Sequence, residues 1–247
     1  KMKKIILHIP HSSGEIPIKD GYVSDNQAIH NEIIKLTDWY TDDLFNSESD
    51  DMVITPFSRI FCDVERFSDD ELEEMSQFGM GALYEKFDNG NLLRKVNSEL
   101  RELILKNYYW KHHKTFSDLV DTHIRENKTC LILDCHSFPS LPFNCSLVKY
   151  TEGPDFNIGT DTFHTPKHII DASKDFFNSR GLSLGIDTPY SGSIVPMEFY
   201  KKDKRVNSIM LEVNRRLYLN EPTNNKSPGY QKTKEIIKDY IKLLKRL

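Results

Sequence analysis

The 247-residue sequence has no apolar run approaching the roughly twenty residues that a membrane-spanning helix needs, which excludes a bilayer-embedded reading. Cysteine is scarce. Cys62, Cys130, Cys135 and Cys145 include no pair spaced two residues apart as in metal-binding turns, and they are too few to staple a chain this size. Reduced thiols in a cytoplasmic protein are the expectation. A basic excess is also missing: 33 Lys and Arg stand against 37 Asp and Glu, with no cationic stripe interleaved with aromatics. Nucleic acid is therefore not an expected partner, and neither is a membrane. The opening Lys1-Met2-Lys3-Lys4 is basic, but the apolar run Ile5-Ile6-Leu7-His8-Ile9 is too short for a secretory signal and lacks a small-residue cleavage site. It reads as a first strand. With no repeat, low-complexity tract or linker, residues 1–247 are expected to form a single domain.

What is present is a soluble balance of 38% apolar and 28% charged residues, in which short apolar runs alternate with longer helical patterns. That alternation predicts an α/β fold with parallel strands joined by helical crossovers. Strands are expected at residues 4–9, 52–55, 60–63, 129–135, 182–186 and 208–213, each continuously apolar as buried strands are. Helical spacing runs through Leu92, Leu93, Val96, Leu100, Leu103 and Ile104, and again through Ile236, Ile237, Tyr240, Ile241, Leu244 and Leu247. Further helices are expected near Thr37 and near Lys167, the second with Pro166 at an early position and Gly181 as a stop. Residues 68–90 and 138–166 read as irregular, and loops of such length in a compact domain are often functional.

Open α/β sheets bind ligands beyond the carboxyl ends of their strands, which directs attention to the polar residues there. Four ends qualify: His8-Ile9-Pro10-His11-Ser12, the stretch from Ser58 to Arg66, Asp134-Cys135-His136-Ser137, and Leu211-Glu212-Val213-Asn214-Arg215. Two imidazoles and a carboxylate, with a further position open to water, make a common catalytic zinc arrangement. His11 and His136 are the imidazole candidates, and His8 is a competitor or a supporting group. No glutamate stands three residues after His11, and Glu15 is a weak substitute. Asp38 and Asp63 are the other carboxylate candidates. Asp38 is preferred, since a helix start would bring it to the strand-end edge, although capping that helix is its ordinary alternative. For Asp63 the alternative is an ion pair with Arg59 or Arg66.

Glu212 is an acid inside an apolar strand, and burying a carboxylate there costs several kcal/mol unless it is paired or functional. A general base for water activated by the ion meets that demand, and a salt bridge to Arg215 or Arg216 is the alternative. Serine chemistry at His136-Ser137 is disfavoured, because adjacent strand residues face opposite ways and no Gly-x-Ser-x-Gly elbow is present.

Along nearly its whole length the chain resembles the N-formylglutamate amidohydrolase family. The resemblance is carried, in order, by Pro10-His11-Ser12, Asp38-Trp39, Ser58-Arg59-Ile60 with Asp63 and Arg66, Gly79-Met80-Gly81, His113-Lys114-Thr115, Asp134-Cys135-His136-Ser137, Tyr190-Ser191-Gly192-Ser193 and Leu211-Glu212-Val213. It implies a three-layer α/β sandwich with a mixed, mostly parallel sheet, similar to the zinc carboxypeptidases. It supports zinc at His11 and His136 with Glu212 as base; with Asp38 as the preferred carboxylate ligand, one zinc ion per chain is expected. The substrate would be an N-formyl or comparable N-acyl amino acid, as in the step of histidine degradation that yields glutamate. Arg59 and Arg66 would clamp its carboxylates. Asp63, Tyr190 and Gly192 complete the expected substrate contacts, and the loops at 78–81 and 190–193 are expected to line the pocket. One departure falls where substrate choice is made: the family often carries Asp-x-Asn-Arg, whereas this chain has Asp63-Val64-Glu65-Arg66.

Two other readings stay open. A peptide or cell-wall amide hydrolase would use the same metal centre on a larger substrate, and a non-catalytic small-ligand module would bind without stoichiometric metal.

Overall fold

Six strands build the central sheet of the computed structural model, which describes residues 3–221 and 223–247; Lys1 and Met2 of the basic opening lie outside the described residues. In order across the sheet these are β2 (Asp51–Ile54), β1 (Ile6–Ile9), β3 (Cys130–Phe138), β6 (Val206–Asn214), β4 (Phe156–Gly159) and β5 (Leu184–Ile186). Every neighbouring pair is parallel except β4 against β6. The sheet is thus mixed and mostly parallel, as expected.

Alternation along the strands supplies both faces. Leu7, Leu133, Cys135 and Leu211 point to one side, where they pack with α5 (Lys167–Asn178) and α6 (Tyr230–Leu244) through Phe177, Ile237 and Tyr240. Ile6, Ile132 and Val206 point to the other, against Phe116, Val120 and Ile124 of α4 (Trp110–Asn127). Covering both faces gives three layers and explains why the strands read as continuous apolar runs. No helix among the described residues is long and apolar enough to cross a membrane.

Four expectations about elements need correction. Residues 60–63 are not a strand: the Phe61 and Cys62 N–H groups donate to the Ser58 carbonyl, closing a turn. Ile60, Phe61 and Cys62 are nonetheless buried, and a short buried apolar run does not reveal whether it is strand or turn. Residues 156–159, inside the stretch read as irregular, form β4, too short to show a period. The helical spacing that begins at Leu92 becomes helix only in α3 (Ser98–Ile104), where the Asn97 side chain accepts from the Leu100 N–H at 2.8 Å.

A helix does not begin near Thr37 either. There α1 (Asn26–Leu36) ends, and α2 (Thr41–Leu44) starts only after Tyr40, whose backbone is left-handed. This leaves Asp38 in a tight turn, free of helix geometry. The long segment between β2 and α3 is held instead by Arg94, which is fully buried and donates to the carbonyls of Phe61 and Tyr84 at 3.0 and 3.1 Å.

Candidate metal centre and active-site pocket

Strand register brings the chemistry together. Parallel pairing sets His8 opposite Asp134 and His136 opposite Glu212, while the i, i+2 rule puts Asp134 and His136 on one face of β3. His11 follows the end of β1. The Asp38 N–H donates to the His11 carbonyl at 2.9 Å, which pins the turn to that strand end.

The rings of His11 and His136 lie 5.1 Å apart, and both turn Nδ1 toward Asp38, whose Oδ2 is 3.7 Å from the first and 3.4 Å from the second. Each far nitrogen meets another carboxylate: His11 Nε2 lies 2.8 Å from Asp63, and His136 Nε2 lies 3.0 Å from Asp134. A carboxylate behind a ligating imidazole fixes the ring and raises its basicity. His11 Nδ1 is buried without a hydrogen-bond partner, so the donor set of two imidazole nitrogens and a carboxylate oxygen fits a divalent ion.

Asp38 does not cap a helix with its carboxylate. Its second oxygen accepts from Arg215 Nη2 at 2.9 Å, and the same guanidinium donates to the Lys35 carbonyl at 2.8 Å. Burial alone would raise the Asp38 pKa, but the two imidazoles and the Arg215 charge hold it well below the carboxylate range. Replacing Arg215 by Met should free this carboxylate and weaken metal affinity by about 10- to 100-fold, as loss of such outer contacts usually does. Chelator competition measures it, and an unchanged affinity in a folded variant would show that Asp38 needs no anchor.

The salt-bridge alternative for Glu212 is not realised. Arg215 binds Asp38 and Arg216 binds Asp155 at 2.8 Å, so Glu212 has no ion pair among the described residues. Its Oε2 is buried and unpartnered. Burial pushes its pKa up to about 8, with His136 opposing and Asp38 adding to the rise. A cation in the adjacent cluster would favour its ionised form.

Asp63, expected among the substrate contacts, lies behind the His11 ring. It is fully buried, accepting from His11, from Tyr84 Oη at 2.8 Å and from Arg59 Nη2 at 3.0 Å. Its place is behind the imidazole, away from the pocket wall. Arg59 still faces the pocket beside that contact. Arg66 lies 3.6 Å from Asp63 through Nε, which has no hydrogen-bond partner. Glu15 is exposed and outside the cluster.

A cavity of about 660 Å³ opens over these groups, lined by His11, Asp38, Arg59, Arg66, His136 and Glu212. Tyr190 and Gly192 form part of its wall, whereas of residues 78–81 only Met80 reaches it. Sequence reasoning assigned no role to Tyr84 or Asp134, and saw Glu65 only as a departure near the substrate. Asp134 was findable, because it stands two residues before His136 on the same strand; Tyr84 and the Arg215–Asp38 contact had no local signal.

Comparison with known proteins follows this geometry. The N-formylglutamate amidohydrolase family model matches residues 3–219. Among solved structures, the chain is similar to an N-formylglutamate amidohydrolase from Ralstonia eutropha JMP134, with a TM-score of 0.86 and 17% identity over 100% of this chain and 94% of that one. It is also similar to the gene product Atu2144 from Agrobacterium tumefaciens, with a TM-score of 0.67 and 15% identity over 100% and 92%. A comparison with curated proteins finds no match. At these identities the structural likeness establishes the fold. The family match, joined to the His11, Asp38 and His136 cluster, supports metal-assisted amide hydrolysis on N-formylglutamate-like substrates. Matched by that model over most of its length, the chain belongs to the N-formylglutamate amidohydrolase family.

Proposed function

We propose that the chain hydrolyses the amide bond of an N-formyl or similar N-acyl amino acid, using zinc held by His11, Asp38 and His136 and Glu212 as the proton carrier. The observation that carries this reading is the convergence of both imidazole Nδ1 atoms on Asp38 in the same cavity as a buried, unpaired Glu212. Zinc suits two neutral imidazoles and a carboxylate, and when bound it would polarise the acyl carbonyl and acidify water.

The protein's own groups do the rest. Glu212 takes a proton from the attacking water and delivers it to the departing nitrogen, which as an amine anion would leave poorly. Asp63 keeps the His11 imidazole oriented, and Arg215 does the same for Asp38. Arg66, which lines the cavity, would grip a substrate carboxylate, and Arg59 would support it while bound to Asp63.

Metal analysis of the purified protein, followed by a hydrolysis screen over N-formyl, N-acetyl and N-succinyl amino acids, tests the reading. No turnover of any of them by metal-loaded protein would overturn it. The Tyr190–Ser193 wall offers a second check. Gly192 has φ +85°, a left-handed conformation that a β-branched side chain resists. Gly192→Val is therefore expected to shift this wall and raise KM several-fold with little change in folding; an unchanged KM would remove the segment from substrate binding.

A further inference from the structure

We infer that His8, Glu65 and Asp134 form a second cation site beside the first, suited to a divalent transition ion such as zinc or manganese, with His136 bridging the two as an imidazolate whose Nε2 proton is released to solvent when the second ion binds. The inference rests on His136 facing the first cluster through Nδ1, as the reading above has it.

The donors already stand at ligand spacing. His8 Nδ1 lies 3.0 Å from Asp134 Oδ1 and 3.1 Å from Glu65 Oε1. His136 Nε2 lies 3.0 Å from the same Asp134 oxygen and 3.8 Å from Glu65 Oε1. Separations of this size suit neighbouring ligands held about 2.1 Å from one ion. Imidazole together with carboxylates is a donor set that zinc and manganese accept.

The hydrogen bonding here is incomplete. Glu65 Oε1 and His136 Nε2 are buried without partners, and the His136 side chain is only 7% exposed. Although His136 Nε2 is close to Asp134, its ring N–H is out of line for a hydrogen bond. Among the described residues neither Asp134 nor Glu65 pairs with a lysine or arginine, so two buried carboxylates converge with only imidazoles between them.

The tautomers permit a lone pair where a ligand needs one. His8 Nε2 is 2.9 Å from His112 Nε2, and His112 Nδ1 is 3.3 Å from Thr55 Oγ1. If His8 donates through Nε2 and His112 through Nδ1, both contacts are satisfied and His8 Nδ1 presents a lone pair to the two carboxylates. Three electron-rich atoms facing one another repel unless a cation lies among them. A proton on His8 is the competing way to relieve this, and ion counting separates the two. The site also gives a purpose to the acid at position 65: Glu65 supplies a charged ligand, and the ion offsets its repulsion of an anionic substrate.

The test is metal stoichiometry of the full chain, stripped with chelator and titrated with zinc or manganese ions, read by calorimetry and elemental analysis. Wild type is expected to bind two ions per chain. Glu65→Gln and Glu65→Asn should each bind one, and Asp38→Asn should also bind one, because it disables the other site. Glu65 lines the cavity, and circular dichroism of the amide variants checks that they are folded. One ion per chain in wild type and in both Glu65 variants would overturn the second site and leave the first intact. No stoichiometric ion in wild type would overturn both.

Discussion

Glu212→Gln is expected to lower turnover by roughly two to four powers of ten, the usual worth of general acid–base catalysis, while folding, metal content and substrate affinity are retained. The carboxylate lies on β6 directly opposite His136 and has no cationic partner among the described residues, so the amide replaces it without breaking an ion pair seen there. A base works only when deprotonated, so the wild-type rate should rise with pH through the Glu212 titration. That rising limb should vanish in the variant. Near wild-type activity would falsify the role, whereas a variant that no longer folds would show the carboxylate to be structural.

Stripping the metal should abolish hydrolysis, and returning zinc should restore it to wild type but not to His11→Ala. His11 is held by a carboxylate behind it and both imidazoles meet Asp38 in front, so loss of one imidazole leaves a set of two donors. Zinc at about one hundred times its Kd should add about 2.7 kcal/mol of stability. For a chain of this size that corresponds to a Tm rise of about 5–10 °C. Full activity in chelator, with no thermal shift on adding zinc, would sink the metal role for these residues.

Much of the site was legible because strand ends in an α/β sheet are short in sequence and carry polar residues in characteristic order. His11, His136 and Glu212 could each be picked out from an apolar strand context, and the cavity contains all three. Asp38 was selected for a helix start that does not exist there. It reaches the cluster through a turn held by the His11 carbonyl. Asp63 was placed with Arg59 and Arg66 among the substrate contacts. The loop that carries them does face the pocket, but the carboxylate turns away from it toward His11 and Tyr84.

The linear order of residues determined the α/β class, the helix-covered strands and the identity of the acids and imidazoles at their ends, because burial on both sheet faces imprints continuous apolar runs. Which groups meet was decided only by tertiary structure. Arg215 and Asp38 are 177 residues apart and His8 and Asp134 are 126 apart, so no local period links them. Their contacts follow from parallel strand register and from a turn closing against a strand end, which are set by packing of the whole sheet.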